Sequence, residues 1–443
     1  MILARLLRIF CGIFAVISAA YSQPLTLKQA IDNALANYPS IRVSQEKIKA
    51  AAAGIELART AYLPRIDILA QENRATRNNI FGTLLPQSVI APITGPVQSA
   101  NYSGVWDSAL GGLITWEPFD FGAREASVNA ANSLRAQQQA TLKRTQFEIA
   151  AATADAYLTV IAAQATVRAA QAGVDRAETI AKTIKALVDA TLRPGADESR
   201  AQAELAAAKT QLIQANQAVE VARANLAQFL TLEPAQITLA PQAFSQLPPM
   251  ENAAPIDTSA NPVSQEQNAV IEQLNARLKI LERSYFPKFA LQGAAFARGT
   301  EPWIDTPNYA IGFTVTFTAS DIYALRARKE QQSAEIRAEQ ARYQQIAVEL
   351  KARWNAAVAA LNGARGVAAN TPVQISSAKA ASDQANARYQ SGLGNVDAVA
   401  ESQRLLTQAE IDDALARLSV WRALLQIATA AGDLVPFVTE VSQ

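Results

Sequence analysis

The sequence contains no histidine, only two methionines and a single cysteine, Cys11. Without an imidazole there can be neither a histidine-based catalytic triad nor an imidazole metal site. The shortage of sulfur ligands argues against soft-metal binding. The segment Gly392–Leu393–Gly394 lacks the third glycine and the preceding strand of a dinucleotide-binding fingerprint. The sequence therefore predicts a protein that is not an enzyme and that holds no cofactor or metal.

The net charge is small, and long apolar runs are rare. The 40 basic and 39 acidic residues leave a net charge of +1, which argues against nucleic-acid binding through bulk charge. After the first segment of the chain no run of about 18 apolar residues occurs, so no transmembrane helix is predicted. Any membrane crossing would have to use strands, since only helices and closed barrels satisfy their backbone hydrogen bonds in lipid.

Residues 1–22 have the organisation of a secretory signal peptide. Arg5 and Arg8 form a basic region, and the apolar run Ile9 to Ala20 is too short to span a bilayer. Residues 20–22 form a small-x-small cleavage site, with cleavage after Ala20 as an alternative. The residues before Cys11 do not make a lipid-attachment site, so we expect an exported chain without a lipid anchor.

A long helix that folds back on itself is predicted for residues 120–230. No proline occurs between Pro118 and Pro194, and the composition is mostly helix-forming. About 70 residues would give a helix of roughly 100 Å. On the returning arm, large residues recur every seven positions, followed three positions later by mostly small ones, which predicts helices packed side by side. The two series are Leu205, Leu212, Val219 and Leu226, and Ala208, Ala215, Ala222 and Phe229.

The same order of segments occurs twice. Each copy has a segment of 23 residues from a proline to a tyrosine, and an interval of 77 or 76 residues between two aspartates. We expect two repeats, 23–230 and 262–443, joined by a proline-rich equatorial linker at 231–261. The paired positions are Pro39 and Pro262, Tyr62 and Tyr285, Asp120 and Asp321, and Asp197 and Asp397.

The second helical hairpin, predicted for 321–431, contains a proline within its first arm. Thr371 and Pro372 are expected to interrupt this arm. The interruption would be a kink at the proline, or a new helix segment capped by Thr371.

Each repeat has room for two strands before its helical hairpin, at 65–116 and 288–318. From Tyr309 to Thr318 apolar residues alternate with small or polar ones, which predicts a strand with one apolar face. Trp106 and Trp116 share a face about 33 Å apart, and we interpret them as a pair of membrane-girdle residues. Hairpins packed on a soluble core are the alternative, but the Thr, Gly and Ala of the second face favour a water-filled lumen.

Four strands cannot close a barrel, and lipid does not tolerate open sheet edges. Two chains would supply eight strands, which enclose a filled interior, whereas three would supply twelve and leave a lumen. The sequence therefore predicts an α+β membrane protein. Its long antiparallel helical hairpins would form an α-barrel, continued by a shared 12-stranded β-barrel.

The sequence resembles the TolC family of outer-membrane efflux proteins, also called outer membrane factors. Three places carry the resemblance: the opening helix from Leu25 to Pro39, the step Tyr62–Leu63–Pro64, and the run from Trp116 to Gly122. The second copy, Phe317 to Tyr323, keeps only one aromatic residue and the aspartate. The resemblance extends from about Leu25 to Asp433.

The resemblance implies a homotrimer in the outer membrane of a Gram-negative bacterium that extends into the periplasm. It implies a passive exit duct for a tripartite efflux or type I secretion system. The partners would be a periplasmic adaptor (membrane fusion protein), an inner-membrane pump and outer-membrane lipid, with no nucleic acid. The helical turns far from the membrane would form the periplasmic aperture.

This resemblance assigns three residues to the aperture, namely Asp197, Tyr389 and Asp397. Tyr389 and Gly392 match the Tyr-x-x-Gly turn of the family, and Asp197 and Asp397 match its acidic positions after each turn. Three copies of Asp397 around one axis would attract cations and repel anions. Alternatively, both aspartates cap the returning helices; the two interpretations are compatible.

Departures from the family prevent the transfer of its gating bonds. The second turn is one residue shorter than in some relatives, and Gly394 stands near the position of a basic link residue. In addition, Ala400 occupies a second acidic ring position. Adaptor docking on the exposed turns is a hypothesis that involves Pro194, Gly195, Gly392 and Leu393.

The alternative function, from a different class, is a periplasmic coiled-coil adaptor or structural protein without a pore. The alternating strands favour the channel, because an adaptor has no need of a membrane-facing sheet.

Overall fold

The computed structural model describes residues 24–76, 103–240, 244, 246–248, 255–300, 306–318 and 320–442. The described chain consists mainly of helices, with one small sheet. In chain order the elements are α1 (Leu27–Asn37), α2 (Pro39–Thr60), β1 (Arg65–Thr76), β2 (Gly104–Phe119), α3 (Ala123–Asp189), α4 (Gly195–Leu230), a 3-10 turn (Pro234–Gln236), α5 (Pro262–Arg283), β3 (Lys288–Thr300), β4 (Thr306–Thr316), α6 (Asp321–Gln390), α7 (Val396–Ala431) and α8 (Val435–Ser442).

Helix α1 begins with a capping box. The Thr26 hydroxyl accepts a hydrogen bond from the Gln29 amide, and the Gln29 side chain accepts one from the Thr26 amide. Two otherwise unpaired amides are thereby satisfied at the start of the helix. The spacing of three and four then places one face of α1 in the core, through Leu27, Ala30, Ile31 and Ala34.

The chain divides into two compact units. The first comprises the described residues up to 44 together with 142–265 and 345–443. Its core includes aromatic side chains from three parts of the chain: Tyr157 of α3, Phe244 of the linker and Trp421 of α7. The Trp421 indole donates to the Gln246 carbonyl at 3.1 Å, and Leu25 pairs with the linker at Leu239. The described part of the linker is therefore held against this core by backbone hydrogen bonds as well as by apolar packing.

The large and small residues that recur along α4 form its packed stripe. All eight members of the two predicted series, from Leu205 to Phe229, are buried or half-buried. The three alanines among these eight residues let neighbouring helices approach closely. Gly173 of α3 shows the same principle, because a Cβ on it would lie 2.9 Å from the hydroxyl oxygen of Thr407 in α7.

Helix α6 continues through Pro372, so the predicted break with a new helix segment capped by Thr371 is wrong, whereas the kink stays a prediction. Proline removes one helical amide donor, but lateral contacts hold the backbone in place. Thr371 is buried and donates its hydroxyl to Asp413 of α7 at 2.7 Å. Asp413 also accepts from Arg417 at 3.0 Å. Thr371 therefore bonds to a neighbouring helix and does not cap a new one.

The second unit, residues 45–141 and 266–344, contains an antiparallel sheet with the strand order β1-β2-β3-β4. The register aligns Ile66 with Ile114, Ile114 with Gly293 and Gly293 with Ile311. One face, here called the apolar face, carries Ile66, Ile68, Leu110, Ile114, Leu291, Tyr309, Ile311, Phe313 and Val315, all exposed. The opposite face carries Asp67, Thr115, Gln292 and Thr314.

Apolar side chains therefore alternate regularly along these strands and are exposed to solvent. Ile311, for example, is 79% exposed. A sheet packed on a soluble core would bury these side chains instead. Strand β2 extends to Phe119, and its pairing with β3 shifts register between Trp116 and Phe119. None of the described helices is both long and apolar enough to cross a membrane.

Replacing Gly173 by valine should lower the thermal stability of the protein. The added side chain would force α3 and α7 apart at Thr407, at a cost of about 1–3 kcal/mol. Gly363→Ala is the matched control, because a Cβ there would meet no atom within 4 Å. This control should be neutral or stabilising by up to about 1 kcal/mol. Thermal unfolding in detergent distinguishes the two variants, and equal melting temperatures would contradict the role of Gly173.

Candidate functional site

The two helix-to-helix turns have related backbone geometry. Each contains a residue with a left-handed conformation, Thr191 at φ +59° and Gly392 at φ +80°. The next residue in each turn donates its amide back to the preceding helix, Leu192 to Leu187 and Leu393 to Arg388, both at 2.9 Å. This arrangement satisfies terminal carbonyls of α3 and α6.

Each turn presents an exposed leucine. Leu192 is 69% exposed and Leu393 is 75% exposed. Leu393 was predicted to contribute to this surface, whereas Leu192 was missed, although the similar position of the two leucines in their turns would have indicated it. Pro194, Gly195 and Gly392 are also exposed, and a Cβ on either glycine would meet no atom within 4 Å.

Asp197 and Asp397 lie in the first turns of α4 and α7. A carboxylate is favoured there by the helix dipole. Neither aspartate is the N-cap residue, however. The N-cap of α4 is Pro194, and that of α7 is Asn395, whose side chain accepts from the Ala398 amide at 3.0 Å. The aspartates therefore support the helix starts through charge, and their side chains are available for other contacts.

Tyr389 and Asp197 come together. Tyr389 is only 3% exposed, and its hydroxyl donates to Asp197 at 2.8 Å. Arg193, from the first turn, lies over the Tyr389 ring at 4.3 Å from its centroid and donates to the Tyr389 carbonyl. The phenol thus connects the two turns by a hydrogen bond, a cation–π contact and a backbone contact.

Arg193 is the residue of this cluster that the sequence reasoning missed. The family resemblance directed attention to Gly394, near the usual place of a basic residue in the second turn. Here the cation comes from the first turn, directly before Pro194. A basic residue at that place in the turn was the available signal, but only the tertiary structure shows that it contacts Tyr389.

The hydroxyl of Tyr389 stays protonated over the whole physiological range. Burial, the hydrogen bond to Asp197 and the charge of that carboxylate raise the pKa of Tyr389 to about 12, although the Arg193 charge acts in the opposite direction. The phenol therefore keeps the proton that it donates to Asp197 across the physiological range.

Asp397 has a different partner. Its carboxylate lies 3.3 Å from Arg200 of α4 and is well exposed. Arg200 also approaches Glu204, and Glu204 lies 3.6 Å from Arg404 of α7. These exposed pairs form a small network between α4 and α7, in which each pair contributes little. The three predicted aperture residues thus fall into two groups, with Asp197 and Tyr389 in one and Asp397 in the other.

The two predicted girdle tryptophans both lie on the apolar face of the sheet and are exposed. The Trp116 indole donates to the Tyr62 carbonyl at 3.1 Å, which fixes the ring at the end of α2. Trp106 has the guanidinium of Arg74 at 5.7 Å from its ring centroid.

The strand-to-helix junction after Trp116 is organised by Asp120. Its carboxylate accepts from the Gly122 amide at 3.1 Å and from the amide and side chain of Arg124 at 2.7 and 2.8 Å. Burial alone would raise its pKa, but these hydrogen bonds outweigh burial and lower the pKa of Asp120. Phe121 and Gly122 adopt left-handed conformations at φ +52° and +83°, which turn the chain sharply into α3.

No metal-binding group of three or more histidine, cysteine, aspartate or glutamate residues occurs within the described ranges.

Residues 30–231 match the sequence model of the family described as "Outer membrane efflux protein". The matched segment comprises 202 of the 443 residues, and over it the chain is similar to the outer membrane efflux proteins. The resemblance inferred from the opening helix, the Tyr62 step and the junction at Asp120 is thereby confirmed. That family consists of transport channels, which fits the expectation that the chain is not an enzyme.

Protein CyaE from Bordetella pertussis is 28% identical over 218 residues. The match covers 49% of this chain and 42% of CyaE, so this chain spans less than half the length of that relative.

Solved structures extend the similarity over 92% of this chain. The outer-membrane channel OprN has a TM-score of 0.76 at 21% identity and is covered to 89%. The outer membrane protein VceC from Vibrio cholerae has a TM-score of 0.72 at 17% identity and is covered to 96%. The CmeC outer membrane channel from Campylobacter jejuni has a TM-score of 0.73 at 17% identity and is covered to 85%. At these identities the likeness establishes the fold.

Replacing Tyr389 by phenylalanine should loosen both turns. The ring remains available to Arg193, but the hydrogen bond to Asp197 is lost. Its net value of about 1 kcal/mol corresponds to roughly fivefold faster amide exchange in the turns. Tyr323→Phe, at an exposed tyrosine near the start of α6, is the matched control. Hydrogen exchange measured by mass spectrometry tests this, and unchanged exchange at 190–197 in Y389F would rule out the proposed connection.

Replacing Asp120 by alanine should lower the free energy of unfolding by about 1–2 kcal/mol at neutral pH, the value of a side chain that satisfies a helix start. Since the folded-state pKa lies below the ordinary value of 3.8, the wild-type advantage is fully present above that value. It is lost as the pH falls through the folded pKa. Thermal unfolding measured between pH 7 and about pH 3 should show the melting temperatures of the wild type and the Asp120→Ala variant converging as the pH falls. The exposed Asp32→Ala is the control. A difference in melting temperature between wild type and D120A that stays constant with pH would contradict this.

Proposed function

We propose that three copies of this chain form an outer-membrane channel that serves as the exit duct of a tripartite efflux or type I secretion system. The single observation that carries the proposal is the exposed apolar face of a sheet whose two outer strands are edges in one chain. The family match and the channel fold of the related structures support the same function.

The edges favour assembly with further copies. β1 and β4 are the outer strands of the sheet in a single chain. Strand edges within lipid need hydrogen-bond partners, and pairing β4 of one copy with β1 of the next supplies them. Three copies bring twelve strands, which is enough for a water-filled lumen. The polar side chains opposite the apolar face, such as Thr115 and Thr314, suit such a lumen.

The apolar face gives the depth of insertion. Trp106 and Trp116 lie ten residues apart on β2, which corresponds to about 33 Å along the strand. A strand tilt of about 40° reduces this to roughly the 25 Å of an outer-membrane apolar band. We therefore place the sheet in the outer membrane, with the two tryptophans at its interfaces and the helical turns in the periplasm.

The turns supply a gate. Tyr389, Asp197 and Arg193 connect the two turns within one chain, and three such clusters around the axis would narrow the periplasmic end of the duct. Asp397, held by the exposed Arg200, would add a negative charge from each copy. The contacts are hydrogen bonds and exposed ion pairs that can be broken without unfolding either hairpin, as a gate requires.

The exposed surface of the turns suits an adaptor. Leu393 together with Pro194, Gly195 and Gly392 offers an apolar, sterically open tip on each hairpin. We propose that a periplasmic adaptor docks there and that an inner-membrane pump supplies the energy, so that the duct itself is passive.

Replacing Ile311 by arginine should prevent stable assembly in membranes. A charge on the lipid side of a membrane strand costs about 2–4 kcal/mol near the midplane and less towards the interfaces. Thr314→Arg is the matched control, because it places the same charge on the same strand but on the opposite face. We expect it to assemble and to alter only the ion conductance.

The measurements are detergent dependence of extraction and single-channel conductance in a planar bilayer. The wild type should need detergent and should conduct. A wild-type protein that is extracted without detergent and does not conduct would favour the alternative, a periplasmic adaptor or structural coiled coil. Equal assembly of I311R and T314R would refute the assignment of the apolar face to lipid.

A further inference from the structure

The apolar face changes character towards the β1–β2 connection. Strand pairing places Ala70 beside Leu110, Glu72 beside Ser108 and Arg74 beside Trp106. All six side chains lie on the apolar face, because residues two apart along a strand share a face. The face therefore runs from aliphatic residues into two polar pairs at one end of the sheet.

The guanidinium of Arg74 is held in a defined place at this end. It lies 5.7 Å from the centroid of the Trp106 ring. It also lies along Gly104, where an added Cβ would be only 3.2 Å from the Arg74 side-chain nitrogen Nε. The Trp106 ring and the space left by the absent side chain of Gly104 thus form a shallow binding surface on β2 for this cation. A cation–π contact of this exposed kind is weak by itself, which leaves the outward side of the guanidinium available.

The nearest carboxylate on the same face has another partner. Glu72 accepts a hydrogen bond from the Ser108 hydroxyl at 2.5 Å. Within the part of the chain that the structure describes, no carboxylate lies within ion-pair distance of Arg74. Among the residues that the structure describes, Arg74 is therefore a positive charge without a carboxylate partner, at the end of the apolar face.

Arg124 provides an internal comparison. It also lies over an aromatic ring, 4.8 Å from the centroid of Tyr62. Its charge, however, is balanced by Asp120 at 2.8 Å, and both side chains are largely buried. Among the described residues, a carboxylate thus balances the cation at the strand-to-helix junction, whereas none balances the cation at the opposite end of β2.

We propose that Arg74, packed against Gly104 and Trp106, binds the phosphate of a lipid headgroup in the outer leaflet. The planar guanidinium matches phosphate oxygens, and headgroup depth is where an aromatic residue beside a cation is stable. The proposal rests on the proposed function, because it requires the apolar face to lie in the membrane. It adds a specific lipid contact on one side of that face.

The test measures binding of lipid A to the full-length protein in neutral detergent by native mass spectrometry. Arg74→Ala should weaken binding about fivefold, the effect of one cation near an anionic surface, and Arg74→Gln should behave in the same way. Arg65→Ala is the matched control, because Arg65 lies on the same strand but on the opposite face and pairs with Asp67 at 3.0 Å. This control should leave binding unchanged.

A second arm needs no variant. Lipid A without its phosphates should bind the wild type about fivefold more weakly, and the R74A protein should not discriminate between the two lipids. Equal binding of the two lipids by the wild type, or equal binding of lipid A by wild type and R74A, would overturn the proposal. Displacement of lipid A by millimolar inorganic phosphate would also overturn it, since the site would then recognise a free anion.

Single-channel conductance distinguishes failure of the proposed lipid site from failure of the proposed channel. If the wild type conducts in a bilayer and Arg74 has no effect on lipid binding, only the lipid site is wrong. If the wild type neither inserts nor conducts, the proposed channel fails and the lipid site fails with it.

Discussion

Backbone hydrogen bonding at the two edges of the sheet is the constraint on which the proposed assembly depends. Among the strands that the structure describes, β1 and β4 are the outer two of the sheet, and the apolar face that they border is exposed. Water could satisfy the edge groups but would not favour that face, and lipid would favour the face but leave the edges unpaired. Pairing with copies of the same chain resolves both conflicts, which is why the trimer, the lumen and the membrane location follow from one another in the proposal.

The turns are held by a different kind of interaction. The connection between them is a neutral phenol that donates to a carboxylate, with a guanidinium on the other side of the ring. Because Tyr389 is buried and its pKa is raised, the phenol keeps its proton throughout the physiological range. The ion pairs around Asp397 are exposed and individually weak. A gate built in this way would respond to mechanical displacement by a docked partner more readily than to acidity.

At two places in the helices the structure differs from what local sequence preferences predict. Pro372 was predicted to interrupt its helix, since proline removes an amide donor, yet α6 runs through it. The sequence could not reveal that Thr371 would be buried against Asp413 on a neighbouring helix. Asp197 and Asp397 fitted the composition of helix caps, but Pro194 and Asn395 occupy those positions. At Thr371 a contact remote in sequence determined the outcome, whereas at the helix starts a neighbouring residue took the cap position.

The sequence by itself determined the elements and their faces. Proline-free, helix-forming stretches and a period of 3.5 predict long paired helices, and a period of two from Tyr309 onwards predicts an apolar strand face, because both periodicities are local properties of the backbone. The opening helix, the Tyr62 step and the run from Trp116 to Gly122 together indicated the family resemblance. Only the tertiary structure decided which side chains meet: Arg193 with Tyr389, Arg200 with Asp397, and Arg74 with Trp106. These pairs join residues from different elements, and their contacts depend on the relative rotation and register of those elements, which no local pattern encodes.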